Sequence, residues 1–302
     1  MSKKLLLVML LCLVIFTGCD QIESASRKPY EPVNPNSDLV NGTQLNTSMT
    51  EDIDWEKYDL LKPHIGNLTF YFLDLPGTPI LVTFPYNSTI VINSGDGTDS
   101  SRIYNYVRNL GYRDVDYIFL SNYNSYRIGG AASVIRKGDI NISYDRGGAT
   151  NTKYFNEYIS SVSNRKPIGV TTELEIDGVD ITITPAREYL APSSDEDFNT
   201  LLFQFDYGDF SFLHAGDCID ECEDIFDDKD FDADVLVAGK NGDCLGTTTF
   251  VLNRLNPKLI VFDNSVGEVC EDVEIRVKYL DINYKKLIPD KKFFITTDGT
   301  LY

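Results

Sequence analysis

Residues 120–130 read LSNYNSYRIGG. The run DYIFL, Asp116 to Leu120, leads into them and is short and apolar enough to be a buried strand. Gly129 through Ile135 follows and reads as a helix. The turn between strand and helix is therefore polar, with Asn122, Asn124, Tyr126 and Arg127 among its side chains. As metal ligands they are poorly suited. Asparagine offers a neutral amide oxygen, acceptable to calcium but weak for zinc, and arginine offers only donors.

The pattern repeats outward from this turn. Leu68 to Leu73 (LTFYFL), Ile80 to Phe84 (ILVTF) and Thr89 to Asn93 (TIVIN) are β-branched and aromatic runs punctuated by Pro76-Gly77, Pro85 and Gly95. Asp99 to Leu110 reads as a helix with Ile103, Tyr106, Val107 and Leu110 on one face. On the other side, strands are expected at Glu173 to Ile176, Val179 to Thr184, Leu201 to Tyr207 and Phe210 to Ala215. Further strands fit Val235 to Ala238, Leu259 to Asp263 and Lys292 to Thr296, with helices near Thr248 to Leu255 and Val273 to Leu280. Two halves, each with strands first and helices after, suit an α/β fold in which two packed sheets carry helices outside.

Several stretches resemble the metallo-β-lactamase fold, in particular the extracytoplasmic hydrolase-like domain of competence DNA-uptake (ComEC-like) proteins. Residues 109–130 resemble the block L-G-x-x-x-I-D-x-L-I-L-T-H-x-H-x-D-H-I-G-G, with Asn122, Asn124, Tyr126 and Arg127 where the signature has His, His, Asp and His. FYFLDLPGTPILV (70–82) and TIVINSGDG (89–97) resemble the opening strands of that domain. NTLLFQFDYGDFSFLHAGD (199–217) resembles its N-S-L-V-L-x-L-x-Y-G-x-x-x-F-L-x-T-G-D segment. DVLVAGKNG (234–242) is similar to A-D-V-L-K-V-x-H-H-G, with Lys240-Asn241 in place of His-His, and TDGTL (297–301) to the closing T-x-x-D-G-x-I. Six such segments in order imply a four-layer αββα sandwich of two mixed β-sheets flanked by helices, over residues 56–302. They say nothing by themselves about activity.

Members of that fold use His and carboxylate side chains to hold one or two divalent ions, usually zinc, which lower the pKa of a bound water. Of the positions that the resemblance marks as ligands, Asp217 alone keeps its residue, and it is the one catalytic candidate. The chain has two histidines, His64 before the first strand and His214 three residues before Asp217, the latter read as structural. No metal or other cofactor is therefore expected. In the fold the loops bearing Arg127, Lys240 and Asp217 converge, so Arg127 and Lys240 either supply the positive charge that the metals no longer do or point to solvent. The alternative is a metal-dependent hydrolase of the phosphodiesterase or nuclease kind, holding an ion such as zinc at Asp217, Asn122, Asn124 and either Asp96 or Asp243.

Beyond Cys12 and Cys19 there are four cysteines, Cys218, Cys222, Cys244 and Cys270. All lie in loops that rim the metals of active relatives, and an even number outside the cytoplasm points to disulfides. The favoured pairing joins Cys218 or Cys222 to Cys244 and leaves Cys270 for the other; a four-cysteine metal site is the alternative.

The amino terminus supplies the address. Lys3 and Lys4 precede an apolar run, Leu5 to Phe16, and Thr17-Gly18-Cys19 resembles a lipobox. Residues 1–18 are read as a lipoprotein signal peptide, Cys19 as the lipidated residue and residues 19–55, rich in Ser, Asn, Pro and Thr, as a flexible tether. The expected location is extracytoplasmic, anchored to the cell membrane by lipid. Asn41, Asn46, Asn67, Asn87 and Asn141 fit the N-glycosylation pattern. A formal charge of -19 disfavours nucleic acid as a partner, because affinity for it comes largely from neutralising phosphates. These readings favour a non-catalytic binding or scaffold module, with a protein or a small anion as partner.

Overall fold

The computed structural model describes residues 66–98, 100–140, 142–187, 199–263, 267–287 and 293–297. The signal peptide 1–18, Cys12, Cys19, the tether 19–55, His64, Asn41, Asn46, Asn141 and residues 298–301 lie outside the described residues. Strands form where the sequence is apolar or alternates: β1 (Thr69–Phe72), β2 (Ile80–Thr83) and β3 (Thr89–Ile92) run as an antiparallel meander. Three crossovers then add parallel strands. Helix α1 (Ser100–Asn109) leads to β4 (Tyr117–Phe119), α2 (Ser125–Ile128) and α3 (Ala131–Gly138) lead to β5 (Ile142–Asp145), and α4 (Lys153–Ser161) leads to β6 (Asn164–Pro167).

The second sheet follows the same plan. Strands β7 (Thr172–Ile176), β8 (Val179–Pro185), β9 (Leu201–Tyr207) and β10 (Phe210–His214) are antiparallel neighbours. After α5 (Ile225–Asp228), strands β11 (Val235–Val237), β12 (Leu259–Phe262) and β13 (Asn283–Lys286) extend it in parallel, with α6 (Thr249–Leu255) and α7 (Glu271–Tyr279) in the crossovers. Strand β14 (Phe293–Thr296) returns to the first sheet and pairs antiparallel with β1. Each sheet has seven strands, ordered β14-β1-β2-β3-β4-β5-β6 and β13-β12-β11-β10-β9-β8-β7.

Burial separates into three apolar layers, as a sandwich of two sheets and two helical shells requires. Between the sheets, Phe70, Phe72, Val82 and Ile92 pack with Ile181, Phe203, Phe205, Phe212 and Val237. Phe70 stacks on Phe212 with ring centroids 3.8 Å apart and meets Phe205 edge-on at 5.3 Å, so one side chain ties β1 to two strands of the other sheet. Burying each such ring is worth about 1.5–3 kcal/mol. Outside the first sheet, Leu81, Val91 and Ile118 receive Ile103 and Val107 of α1, Val134 and Ile135 of α3, and Phe155 and Tyr158 of α4. Outside the second, Leu213, Leu236 and Ile260 receive Phe226, Val251, Leu252, Val273 and Val277. Alternation along single strands produces this: in β8 the pattern is buried, exposed, buried.

The helix expected from Gly129 begins at Ala131 and runs to Gly138, because Asp139 takes a left-handed conformation and ends it. Strands β5, β6 and β13 and helix α4 were not expected. Among the described residues no helix is long and apolar enough to cross a membrane.

Candidate functional site: a buried arginine between two carboxylates

Parallel strands place their carboxyl ends together, and the ends here deliver the polar groups of the site. β4 runs out at Phe119 into the stretch 120–128, and β10 ends at His214, three residues before Asp217. β11 leads to Lys240 and Asn241, while β12 ends at Phe262 with Asp263 next. The two sheets are joined at this edge by the Leu201 amide, which donates to the Ser121 carbonyl at 2.8 Å. Asn93, at the end of β3, accepts from the Ser121 amide at 2.9 Å and from its hydroxyl at 3.0 Å, fixing the start of the polar turn.

Asp217 stands at the centre and is fully buried. Its amide donates to Thr200 Oγ1 at 3.0 Å. Oδ2 accepts from Asn122 Nδ2 at 2.6 Å, Asn124 Nδ2 at 3.0 Å and the Tyr126 hydroxyl at 2.5 Å. Oδ1 accepts from Arg127 Nε at 3.0 Å and Nη2 at 2.7 Å, the two-pronged geometry that a guanidinium offers a carboxylate. Four of the side chains singled out in the sequence, Asn122, Asn124, Tyr126 and Arg127, thus converge on Asp217, the catalytic candidate.

Arg127 is 0% exposed, and Nη1 turns to a second carboxylate, Asp263 Oδ2, at 3.0 Å. Its backbone is held as firmly, since the carbonyl accepts from the Ser94 amide at 2.7 Å and hydroxyl at 2.9 Å. The Tyr126 ring lies 5.2 Å from the guanidinium carbon. Gly129 allows this packing: a Cβ there would stand 2.4 Å from the Ser125 carbonyl oxygen and 2.5 Å from the Asp96 backbone. Asp263 was missed as a site residue in the sequence. Its signal is a carboxylate directly after the fully buried run Leu259–Phe262, where an ion needs a partner.

Electrostatics follow from the geometry. Burial alone would raise the Asp217 carboxyl; Arg127 and the donors Tyr126, Asn122 and Asn124 reverse this and lower it to about 2. His214 is fully buried beside the centre, with Nδ1 accepting from the Gly216 amide at 3.0 Å and Nε2 making no hydrogen bond. Burial first, and then the Arg127 charge, lowers its pKa to about 4, so the imidazole is neutral near pH 7. Asn241 is buried, and its Nδ2 donates to the Gly267 carbonyl at 2.8 Å. Lys240 is half-buried in a left-handed conformation, and its amide donates to the Gly216 carbonyl at 3.1 Å. Arg127 forms ion pairs with both Asp217 and Asp263.

A divalent ion needs converging lone pairs, and the donor set here does not fit one. Both oxygens of Asp217 are taken by N–H and O–H donors, and Asn122 Oδ1 accepts from the Asn124 amide at 3.1 Å. Asp96 and Asp243 accept from Thr98 and from the Leu245 amide, closing their own turns. Among the described residues no group of three or more His, Cys, Asp or Glu side chains is arranged to hold a metal.

The cysteine pairing differs from the expected one. Cys218 pairs with Cys222 and Cys244 with Cys270. The reason is local: a 3₁₀ turn over Asp220–Asp224 brings Cys218 and Cys222 to a Cα separation of 5.3 Å. Cys270 is drawn to the other rim loop, where its amide donates to the Gly242 carbonyl at 3.1 Å.

No protein-family model matches the chain, and no curated protein matches its sequence. Solved structures do. YhfI from Bacillus subtilis, a metallo-β-lactamase fold protein, aligns with a TM-score of 0.52 at 11% identity, over 76% of this chain and 99% of its own. CmlA, a diiron β-hydroxylase from Streptomyces venezuelae, aligns with a TM-score of 0.52 at 8% identity, over 78% of this chain and 55% of its own. The chain spans about half the length of CmlA. At such identities the likeness is one of architecture, and it agrees with the layers and strand orders above: the chain has the metallo-β-lactamase fold.

Proposed function

We propose that this protein is a non-catalytic binding or scaffold module, carried outside the cytoplasm on a lipid at Cys19, in which the metal centre of the fold has become an arginine-centred structural core. The resemblance to the competence-associated domain belongs to this reading as a matter of descent, without its nuclease-like chemistry. One observation carries it: Arg127, fully buried, forks onto Asp217 and reaches Asp263. A guanidinium supplies charge and five donors but can neither coordinate an ion nor activate a water. The acidity of the chain disfavours nucleic acid as the partner and leaves a protein or a small anion.

Metal analysis tests the reading. Purified protein is expected to carry no stoichiometric zinc, manganese or iron, and its Tm to be unmoved by chelator. Stoichiometric metal that disappears in Asp217→Ala overturns it in favour of a hydrolase.

A further inference from the structure

We propose that the Cys244–Cys270 disulfide is a reducible clasp on the rim of the Arg127 centre, opened by a dithiol reductant while Cys218–Cys222 stays closed. The inference goes beyond the functional reading above and stands whether or not the domain catalyses a reaction.

The two bonds differ first in access. Cys218 and Cys222 are 1% and 3% exposed and pack with Ile225, Phe226 and Ala238 under the second sheet's helices. Cys244 is exposed, in the turn closed by the Asp243 side chain and the Leu245 amide, and Cys270 is half-buried just before α7. Thiol–disulfide exchange requires a thiolate to reach a sulfur, so the attack falls on Cys244 Sγ. A bond forms between that sulfur and one thiol of the reductant, and Cys270 leaves as a thiolate that takes up a proton. The second thiol then attacks the mixed disulfide and releases Cys244. One protein disulfide becomes two thiols and the dithiol becomes a disulfide.

The bonds differ also in what they hold. Cys218–Cys222 closes a single turn, whereas Cys244–Cys270, at a sequence separation of 26, encloses α6, β12 and Asp263, the second carboxylate on Arg127. Cys244 follows directly on Lys240, Asn241 and Gly242. Hydrogen bonds cross the same seam: the Cys270 amide to the Gly242 carbonyl, Asn241 Nδ2 to the Gly267 carbonyl, and Arg276 Nη1 to the Gly246 and Thr247 carbonyls at 3.2 and 2.7 Å. Such bonds open locally without global unfolding, while the parallel ladder of β11 and β12 is buried below. Reduction therefore frees the rim and leaves the sandwich standing.

The test uses the full chain in graded dithiothreitol, trapped with iodoacetamide and mapped by mass spectrometry, with hydrogen exchange on the half-reduced species. Cys244 and Cys270 are expected to be alkylated at a dithiothreitol concentration at least tenfold below that needed for Cys218 and Cys222. Amides of 240–246 and 267–274 are expected to exchange at least tenfold faster, with β11 and β12 unchanged, and the double variant Cys244→Ser/Cys270→Ser to exchange in the same way without reductant. Opening of both disulfides together, opening of Cys218–Cys222 first, or a rim exchanging at the oxidised rate after reduction overturns the proposal.

Discussion

Replacing Arg127 by methionine removes the guanidinium while filling much of the same volume, so the loss is chiefly electrostatic. Three hydrogen bonds to carboxylates disappear, two on Asp217 and one on Asp263, and both carboxylates are at most 1% exposed. Breaking a buried ion pair from one side costs about 3–5 kcal/mol. A domain of ordinary stability, about 5–15 kcal/mol, thus loses about a fifth of it or more. Asp217 keeps Asn122, Asn124 and Tyr126, which places the expected loss inside that range rather than above it.

The loss also has a pH signature. Without the guanidinium, burial of Asp217 is no longer outweighed, and its carboxyl moves up from about 2. The variant then takes up a proton at a pH where the wild type does not, and protonation removes the charge that made burial costly. The deficit of Arg127→Met is therefore largest at pH 7 and shrinks toward pH 5, as read by urea unfolding followed by far-UV circular dichroism at each pH. Arg127→Lys should recover part of it, since an ammonium keeps the charge but not the fork. A deficit below about 1 kcal/mol at pH 7, or one that stays constant down to pH 5, refutes the account of Arg127 as the organising cation.

Two further perturbations probe the same edge. His214 has its folded pKa lowered to about 4, so between about pH 6.5 and 4 the unfolded chain binds a proton that the folded one refuses, and stability falls as pH falls. The wild type should lose about 3 kcal/mol across that window and His214→Gln should lack this slope; an identical slope in both argues against it. Gly77 (φ +79) and Gly208 (φ +60) both take left-handed backbone, but a Cβ on Gly77 would lie 2.0 Å from the Tyr126 carbonyl oxygen and one on Gly208 meets nothing. Gly208→Ala is expected to cost about 1–2 kcal/mol and Gly77→Ala several times that; equal melting temperatures for the two would show that the Gly77 approach to Tyr126 is not needed.

The sequence was legible where burial leaves a pattern in single segments. TFYF, ILVT and TIVI are buried at every position, and the apolar face of α3 is visible in Ala131, Val134 and Ile135. β6 (NRKP) and β13 (NYKK) have no such pattern, because each is an edge strand held by its parallel neighbour and faces largely outward. β5 (ISYD) is interior yet polar, since Asp145 is satisfied by Tyr123, Tyr158 and Arg165. At the centre, the resemblance to a metal-binding signature pointed to Arg127 and Asp217. The second carboxylate did not show, because which residue meets Nη1 is decided by the placement of β12 beside β11, far along the chain. Disulfide pairing failed for the converse reason: a short local turn outcompeted the longer link between loops.

The pairing of β14 with β1, Thr69 opposite Thr296, has a consequence for how the chain is made. The first sheet gains its edge strand from the last described segment, so the domain cannot finish folding until nearly all of it has emerged. Until then β1 offers one open side, a template for any extended peptide nearby. Folding that waits on so distant a contact is slow, because the intervening chain must be ordered before the pairing that rewards it can form.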